Sequence, residues 1–232
     1  MTGGHGGEED CMKLTKKRSH YFAAMLVLPV TVAFVIDAPA TAATNPYSDV
    51  TVKDGHYDAI IELTEQGVVT GVTKTLFQST KPATRGEAAL FIANALGFDQ
   101  TSGKNPNFKD LTTNSPYYGA VVALYERNII GGYTDGTFRP NAILKRSEIA
   151  KMLTLAFELE VANVTKTKFA DVNAIKDANT KRYIQTLIDY GITMGTTATT
   201  FSPYATLTRG QLTTFLHRAI TATDDFTIIS VE

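Results

Sequence analysis

The sequence predicts an all-α protein made of three copies of one helix–loop–helix unit. Two observations support this fold class: the same landmarks recur about every 61 residues, and each copy carries the 3.6-residue periodicity of an amphipathic helix. The composition is that of a globular protein, since 44% of the 232 residues are hydrophobic and 19% are charged. The formal net charge of −1 argues against a non-specific nucleic-acid binder, which would need a basic surface.

Residues 1–43 are predicted to be a leader that precedes the fold. A basic cluster at Lys13–Arg18 is followed by an apolar run at Ala23–Ile36 and by the small residues Ala40–Ala42. This order is typical of a secretory signal peptide, with the mature chain starting near Ala43. A membrane anchor is the alternative, but the run is about 14 residues long, and roughly 20 are needed to span a bilayer.

The first eleven residues do not resemble the basic start of a signal peptide. We therefore take as a hypothesis that translation begins at Met12. The single cysteine, Cys11, lies upstream of the expected cleavage site. The mature protein is thus expected to have no thiol nucleophile, no disulfide and no cysteine-rich metal site.

The repeat is defined by five landmark residues that keep their order in every copy. These are an aromatic residue two before an aspartate, then a glycine, a phenylalanine and an arginine: Tyr47, Asp49, Gly71, Phe77 and Arg85; Phe108, Asp110, Gly132, Phe138 and Arg146; Phe169, Asp171, Gly195, Phe201 and Arg209. The spacing predicts modules at 44–104, 105–165 and 166–221, followed by a short tail at 222–232. Within the tail, Phe226–Val231 is predicted to be a short strand.

Each module is predicted to contain two helices. The first ends at Gly67, Asn128 or Gly191, because these residue types tolerate the left-handed conformation that follows a helix. The second carries apolar residues at positions i, i+3, i+4, i+7 and i+8, starting from Ala88, Ile149 or Leu212. Two short helices cannot bury such a stripe alone, so the three second helices are expected to pack together.

An arginine stands at the head of each second helix. Thr84-x-x-Glu87 and Thr208-x-x-Gln211 fit the capping box, whereas Lys145 leaves the box of the second copy incomplete. Capping does not explain the arginines, since a cation at a helix N-terminus opposes the helix dipole. Two interpretations stay open: the arginines and free helix N–H groups bind an anion, or each arginine pairs with a repeat aspartate, Asp49, Asp110 or Asp171.

The second copy resembles the S-layer homology (SLH) module. It reads Asn-Ile-Ile-Gly-Gly-Tyr-Thr-Asp-Gly-Thr-Phe-Arg-Pro over 128–140, followed by Arg146-Ser-Glu148, and the resemblance extends over roughly residues 45–221. It implies three modules about a pseudo-threefold axis, with the second helices forming a central bundle. It also implies that grooves between modules bind a secondary cell-wall polysaccharide of Gram-positive bacteria, often at a terminal N-acetylmannosamine that carries a pyruvate ketal.

The resemblance implies that each arginine recognises the pyruvate carboxylate. The chain has no Trp, which many family members carry near the first helix, so tyrosines 57, 117 and 118 are the candidates for a sugar-facing surface. The expected binding residues are Arg85, Arg146, Arg209, Asp49, Asp110, Asp171, Glu87, Glu148, Gln211, Gly71, Gly132, Gly195, Tyr57 and Tyr118. Copy one lacks the Asp-Gly turn and copy three has Gln211 for Glu, so the groove around copy two is expected to be the best formed.

An enzyme is the alternative function class, in the form of a wall-modifying hydrolase or its regulatory subunit. After cleavage, the remaining histidines are His56 and His217, and no HExxH, GxSxG or P-loop pattern occurs. The three copies leave no room for a catalytic domain. We therefore expect a secreted, non-catalytic anchor of the cell wall or S-layer that needs no cofactor or metal, does not span a membrane after processing, and has an unidentified protein cargo as a candidate partner.

Overall fold

The structure, a computed structural model, describes residues 44–229, and side-chain surroundings up to residue 223. The predicted signal peptide, start site and cysteine lie outside this range. Within residues 44–229 the chain is helical and has no β-strand, which confirms the all-α prediction. The helices are α1 (Tyr57–Glu65), α2 (Arg85–Ala95), α3 (Tyr118–Glu126), α4 (Arg146–Ala156), α5 (Ala170–Asn173), α6 (Ala178–Asp189) and α7 (Arg209–Ile229).

The three repeats share the predicted pair of helices, and the third repeat adds to it. Module 1 contains α1 and α2, module 2 contains α3 and α4, and module 3 contains α6 and α7 with the one-turn helix α5 before them. Asp177 caps α6 by accepting the N–H groups of Asn179 and Thr180, so this helix begins about one turn earlier than its counterparts. The first helix of module 3 therefore differs from those of modules 1 and 2 in its start and its length.

The ends of the first helices are as predicted. Gly67, Asn128 and Gly191 have φ angles of 71°, 58° and 68°, which lie in the left-handed region.

The strand predicted at Phe226–Val231 is not found: α7 continues to Ile229, so the described part of this segment is helical. No glycine or proline between residues 211 and 229 ends the helix, and continuation of an existing helix outweighs the strand preference of a few β-branched residues.

The second helices meet at a closed ring of backbone hydrogen bonds. The N–H of Ala83 donates to the carbonyl of Leu207 (2.9 Å), Leu207 donates to Leu144 (2.9 Å), and Leu144 donates to Ala83 (2.8 Å). All three residues are fully buried. Because every module contributes one identical donor and acceptor, the ring defines the pseudo-threefold axis, and α2, α4 and α7 pack around it as the expected central bundle.

The modules interlock through their first helices. Helix α3 packs on α2, α6 packs on α4, and α1 packs on α7. Each first helix thus covers the second helix of the preceding module, and the last module is closed by the first. We name the three contacts the first junction (modules 1 and 2), the second junction (modules 2 and 3) and the closing junction (modules 3 and 1).

Candidate functional site

Each repeat arginine reaches across a junction into the following module. Its Nε donates to the carbonyl of the phenylalanine landmark there, and its guanidinium lies 4.7–4.9 Å from the centre of the same ring. The Nε–carbonyl pairs are Arg85 to Phe138 (3.2 Å), Arg146 to Phe201 (2.9 Å) and Arg209 to Phe77 (2.9 Å). The arginines are 9%, 5% and 2% exposed, so they connect the modules and are not surface side chains.

The N–H groups at the heads of the second helices are already occupied. The N–H of each arginine donates to a carbonyl of the following module, as does the N–H of the next residue. The pairs are Arg85 and Gly86 with Ala142 and Pro140, Arg146 and Ser147 with Ala205 and Pro203, and Arg209 and Gly210 with Lys81 and Ser79, at 2.8–3.1 Å. The helix ends therefore do not offer these N–H groups to an anion, and only the guanidinium remains for that role.

The repeat aspartates hold a loop instead of pairing with the arginines. In each module the carboxylate accepts the N–H groups of the phenylalanine landmark and the residue after it, at 2.7–3.1 Å. Those following residues, Gln78, Arg139 and Ser202, have φ angles near 60°, which is unfavourable for residues other than glycine. Asp49, Asp110 and Asp171 thus stabilise the strained loop that presents the carbonyl to the arginine. Among the described residues, none of these three aspartates forms an ion pair with Arg85, Arg146 or Arg209.

The charge partner of an arginine is instead the third residue of the next second helix. Arg209 forms an ion pair with Glu87, and Arg85 lies 3.8 Å from Glu148. The corresponding position opposite Arg146 is Gln211, which has no charge. Each of these three side chains also accepts the N–H of its own N-cap residue, at 2.8, 2.8 and 3.1 Å, in the order of the modules.

The capping boxes form as the sequence indicates. Thr84 and Thr208 each accept the N–H of the residue three positions later, at 3.2 Å. Lys145 has no side-chain acceptor, so module 2 has only the half of the box that Glu148 provides. Capping in module 2 is therefore weaker than in the other two modules.

The landmark glycines and the first-helix tyrosines are packing residues. A Cβ on Gly71, Gly132 or Gly195 would overlap the ring of the aromatic residue that starts the same module. Tyr57 and Tyr118 are half-buried at the N-termini of α1 and α3 and pack against the core. Glycine lets the aromatic residue approach the backbone of the loop, which explains its recurrence without a ligand.

Two junction residues were missed by the sequence analysis as contacts between modules. The ring of Tyr117 lies on Gly86 at the first junction, and the ring of His56 lies on Gly210 at the closing junction. The equivalent position at the second junction is Ser147. The sequence did contain a signal for these contacts, since two of the second helices have a glycine in their first turn. Glycine destabilises a helix by about 1 kcal/mol, so its presence there indicates that another residue packs closely against the helix.

A polar cleft opens at the closing junction. It has a volume of about 480 Å³, and its lining includes Asp49, Asp54, His56, Ser79 and Gln211. His56 Nδ1 lies 2.8 Å from the hydroxyl of Thr214, and burial lowers the pKa of His56, with Asp54 acting in the opposite direction. The lowered pKa favours the neutral imidazole, and the cleft presents hydroxyl, amide and carboxylate groups suited to a sugar.

The comparison with known families fits this architecture. The model of the S-layer homology domain family matches the chain three times, at residues 46–89, 107–150 and 168–213. The chain belongs to this family. SLH domains are non-catalytic modules that anchor proteins to the cell wall, and the three matches correspond to the three structural repeats.

The relatives are much longer proteins. The chain is 30% identical to the surface-layer 125 kDa protein of Lysinibacillus sphaericus, over 92% of this chain and 18% of that protein. It is 34% identical to the cellulosome-anchoring protein of Acetivibrio thermocellus, over 62% of this chain and 33% of that protein. An endoglucanase of a Bacillus species is 30% identical over 80% of this chain and 21% of the enzyme. The chain thus spans about a fifth to a third of these relatives.

Among residues 44–229, no group of histidine, cysteine or acidic side chains is arranged to hold a metal ion. The helices of this part of the chain are also too short or too polar to cross a bilayer.

Proposed function

We propose that this chain is a secreted, non-catalytic wall anchor that binds secondary cell-wall polysaccharide in the grooves at its module junctions. The observation that carries the proposal is the arginine that recurs at all three junctions of an SLH fold. The relatives named as S-layer and cellulosome-anchoring proteins support a location at the wall or S-layer of a Gram-positive-type bacterium. A protein cargo bound to the anchor is part of the same proposal.

The ligand chemistry follows from the groups that line the junctions. A guanidinium is planar and binds a carboxylate through two parallel N–H donors, so it suits the carboxylate of a pyruvate ketal. The cleft at the closing junction adds the hydroxyl of Ser79, the amide of Gln211 and the carboxylates of Asp49 and Asp54. These groups match the hydroxyl and acetamido groups of an N-acetylated sugar.

An aromatic surface contributes to the first junction. The ring of Tyr133 lies 4.0 Å from the guanidinium of Arg139 and 5.2 Å from that of Arg85. Its hydroxyl donates to Glu148 over 3.5 Å. Tyr133 therefore supplies the type of ring on which sugars stack, in place of the Trp that this chain lacks.

Sedimentation with purified cell-wall sacculi tests the proposal. We expect the protein to sediment with sacculi that carry pyruvylated polysaccharide, and to stay in solution once the polysaccharide or its pyruvyl groups have been removed. Binding should weaken with added salt and at strongly acid pH, because salt screens the contact and protons neutralise the ketal carboxylate.

The arginines are tested by a triple Arg→Lys variant at positions 85, 146 and 209, which keeps the charges but removes the planar fork. The matched control is Arg127→Lys, since Arg127 also lies over an aromatic ring, Phe98, at 4.1 Å, but at the opposite ends of α2 and α3. Both variants are first checked for native helicity. Unchanged sedimentation of the triple variant would contradict the role of the arginines, and a lytic band on a peptidoglycan gel would contradict a non-catalytic anchor.

A further inference from the structure

Residues 44–232 contain two histidines, and both lie at the closing junction. His56 precedes α1, and its Nδ1 lies 2.8 Å from the hydroxyl of Thr214 on α7. His217 lies on α7, and its Nε2 lies 2.8 Å from Glu62 on α1. Each histidine therefore contacts a residue of the other module, so a change in its charge acts directly on the packing of α1 against α7.

The other two junctions have small buried residues at the positions that correspond to His217 and Glu62. These residues are at most 1% exposed: Ala93 and Ala123 at the first junction, Thr154 and Thr186 at the second. The side chains of His217 and Glu62, in contrast, are 26% and 54% exposed. Water therefore reaches a titratable pair at the closing junction, whereas the matched positions are buried and do not titrate.

His56 also differs from its counterparts at the other junctions. Its ring lies on Gly210 in the first turn of α7. The counterpart at the first junction is Tyr117, whose ring lies on a glycine of α2, and the counterpart in module 3 is Thr180. Tyrosine and threonine keep one charge state in mild acid, whereas histidine ordinarily gains a proton as the pH falls below about 6.5.

The surroundings of His56 favour the neutral imidazole. Burial is the main cause that lowers its pKa, and the positive charge of Arg218 on α7 acts in the same direction. Asp54 opposes this shift. However, both carboxylate oxygens of Asp54 are already engaged, since one accepts the N–H of His56 at 2.9 Å and the other accepts the hydroxyl of Ser79 at 2.5 Å.

The other charged groups beside His56 do not reverse this preference. Besides Asp54, the residues that line the cleft there include one acid, Asp49, and one base, Lys53. Both oxygens of Asp49 accept backbone N–H groups, those of Phe77 and Gln78, at 2.8 and 2.7 Å. A proton on His56 would thus add a charge to a half-buried site in which the lining carboxylates are already engaged.

His217 responds to acid in the opposite direction. A proton on its ring converts the contact with Glu62 into an ion pair, which favours the packed junction. Glu62 is more than half exposed and also accepts the side-chain amide of Gln66 at 3.2 Å. Ion pairs between exposed groups contribute little to stability, so we expect the half-buried His56 to determine the direction of the response.

We propose that the closing junction is the pH-sensitive junction of the three, and that its α1–α7 contact loosens as the pH falls from about 6.5 to about 5 while the first and second junctions keep their packing. Opening the junction exposes His56 to water and restores its ordinary affinity for a proton. The stabilisation that comes from the neutral ring is therefore present above about pH 6.5 and is lost as the pH falls through that value.

The cleft at the closing junction changes with this contact, because His56 lines it. Of the three grooves, the one at this junction is then the groove whose shape depends on mild acid. This consequence rests on the proposed function, whereas the loosening of α1 from α7 does not.

Hydrogen–deuterium exchange of the whole chain, measured by mass spectrometry at about pH 7 and about pH 5.5, tests the proposal. After correction for the intrinsic pH dependence of exchange, we expect the protection of α1 to fall at least about threefold more than that of α3 and α6. A threefold change corresponds to about half a pKa unit between the packed and the open junction.

Variants of each histidine assign the effect. His56→Tyr installs the residue of the first junction, and His56→Gln keeps a neutral polar group beside Thr214. Both should abolish the extra loss of protection in α1, and the second keeps the test valid if the first does not fold. His217→Gln is the matched control and should retain the extra loss, because it removes only the exposed pair.

Two results would overturn the proposal: an equal loss of protection in α1, α3 and α6, or an extra loss in α1 that a folded His56 variant retains. Loss of the response in His217→Gln alone would also contradict it, since the exposed pair would then control the junction. Sedimentation with sacculi at neutral pH tests the proposed function separately, so the failure of one leaves the other standing.

Discussion

The repeat arginine has more partners at the closing junction than at the second junction. At the closing junction, Arg209 is 2% exposed and has acceptors at the carbonyls of Phe77 and Thr70 and at the carboxylate of Glu87. At the second junction, Arg146 has the carbonyl of Phe201 and a long bond to Thr193. The same repeat position therefore holds a charge-paired arginine at one junction and, among the described contacts, an arginine without an acidic partner at another.

The difference matches the position of each junction in the chain. The closing junction joins the two ends of the folded region, and Arg209 and Phe77 are 132 residues apart in sequence. It also contains the 2.8 Å contact of His217 with Glu62 and that of His56 with Thr214. Many specific contacts offset the larger chain entropy lost in joining distant segments. The second junction joins modules that follow one another in sequence, so closing it costs less chain entropy.

Removing Arg209 should cause the largest loss of stability. We expect Arg209→Ala to lower the free energy of unfolding by about 3–5 kcal/mol, because it leaves Glu87 buried without its partner. Arg146→Ala, the matched variant at the second junction, leaves no buried carboxylate behind and should cost about 1.5–3 kcal/mol, the value of hydrogen bonds to a charged group. Denaturant unfolding followed by circular dichroism measures both. Equal losses would show that the charge pair does not distinguish the junctions.

The next largest loss of stability is expected from a steric clash in the first turn of α7. A Cβ on Gly210 would overlap the ring of His56, so we expect Gly210→Ala to cost about 1–3 kcal/mol despite the better helix propensity of alanine. At the second junction, position 147 is already a serine, so Ser147→Ala should change stability by only a few tenths of a kcal/mol.

A double variant that copies the second junction should restore the stability lost in Gly210→Ala. In the repeat register, His56 corresponds to Thr180 and Gly210 corresponds to Ser147. The double variant His56→Thr with Gly210→Ser installs that pair at the closing junction. Recovery of most of the stability lost in Gly210→Ala would support the steric explanation, whereas a double variant less stable than Gly210→Ala alone would contradict it.

The features that the sequence predicted correctly are local ones. The left-handed residues after the first helices, the two complete capping boxes and the stripes of the second helices each depend on residues within two turns of one another. The repeat spacing then supplied the number of modules. The predicted strand at Phe226–Val231 was wrong because its residue types were weighed without the helix that precedes them.

The site was harder to predict because its contacts join different modules. The sequence offered an Arg–Asp pair, yet the aspartate binds the backbone of its own module and the arginine crosses to the next. The sequence also could not show that the N–H groups at the starts of the second helices are hydrogen-bonded, because their acceptors lie in another module. The sequence did show that Gln211 replaces the glutamate of the other two modules, but not that this glutamate is the charge partner of an arginine from the preceding module.

The smallest expected effect concerns the helix cap that sets the second helix of module 2 apart. Lys145 has the extended backbone of an N-cap residue, with φ −94° and ψ 153°, but no side-chain acceptor. Lys145→Thr should complete the capping box and raise the free energy of unfolding by about 1 kcal/mol, and Thr84→Ala should lower it by a similar amount at the matched position of module 1. Thermal unfolding of both variants measures these changes. If Lys145→Thr is less stable than the parent, the contact of Lys145 with the ring of Tyr204, 5.9 Å away, contributes more than a helix cap. The expected gain would instead show that the capping of α4 is weaker than that of α2 and α7 because position 145 lacks a side-chain hydroxyl.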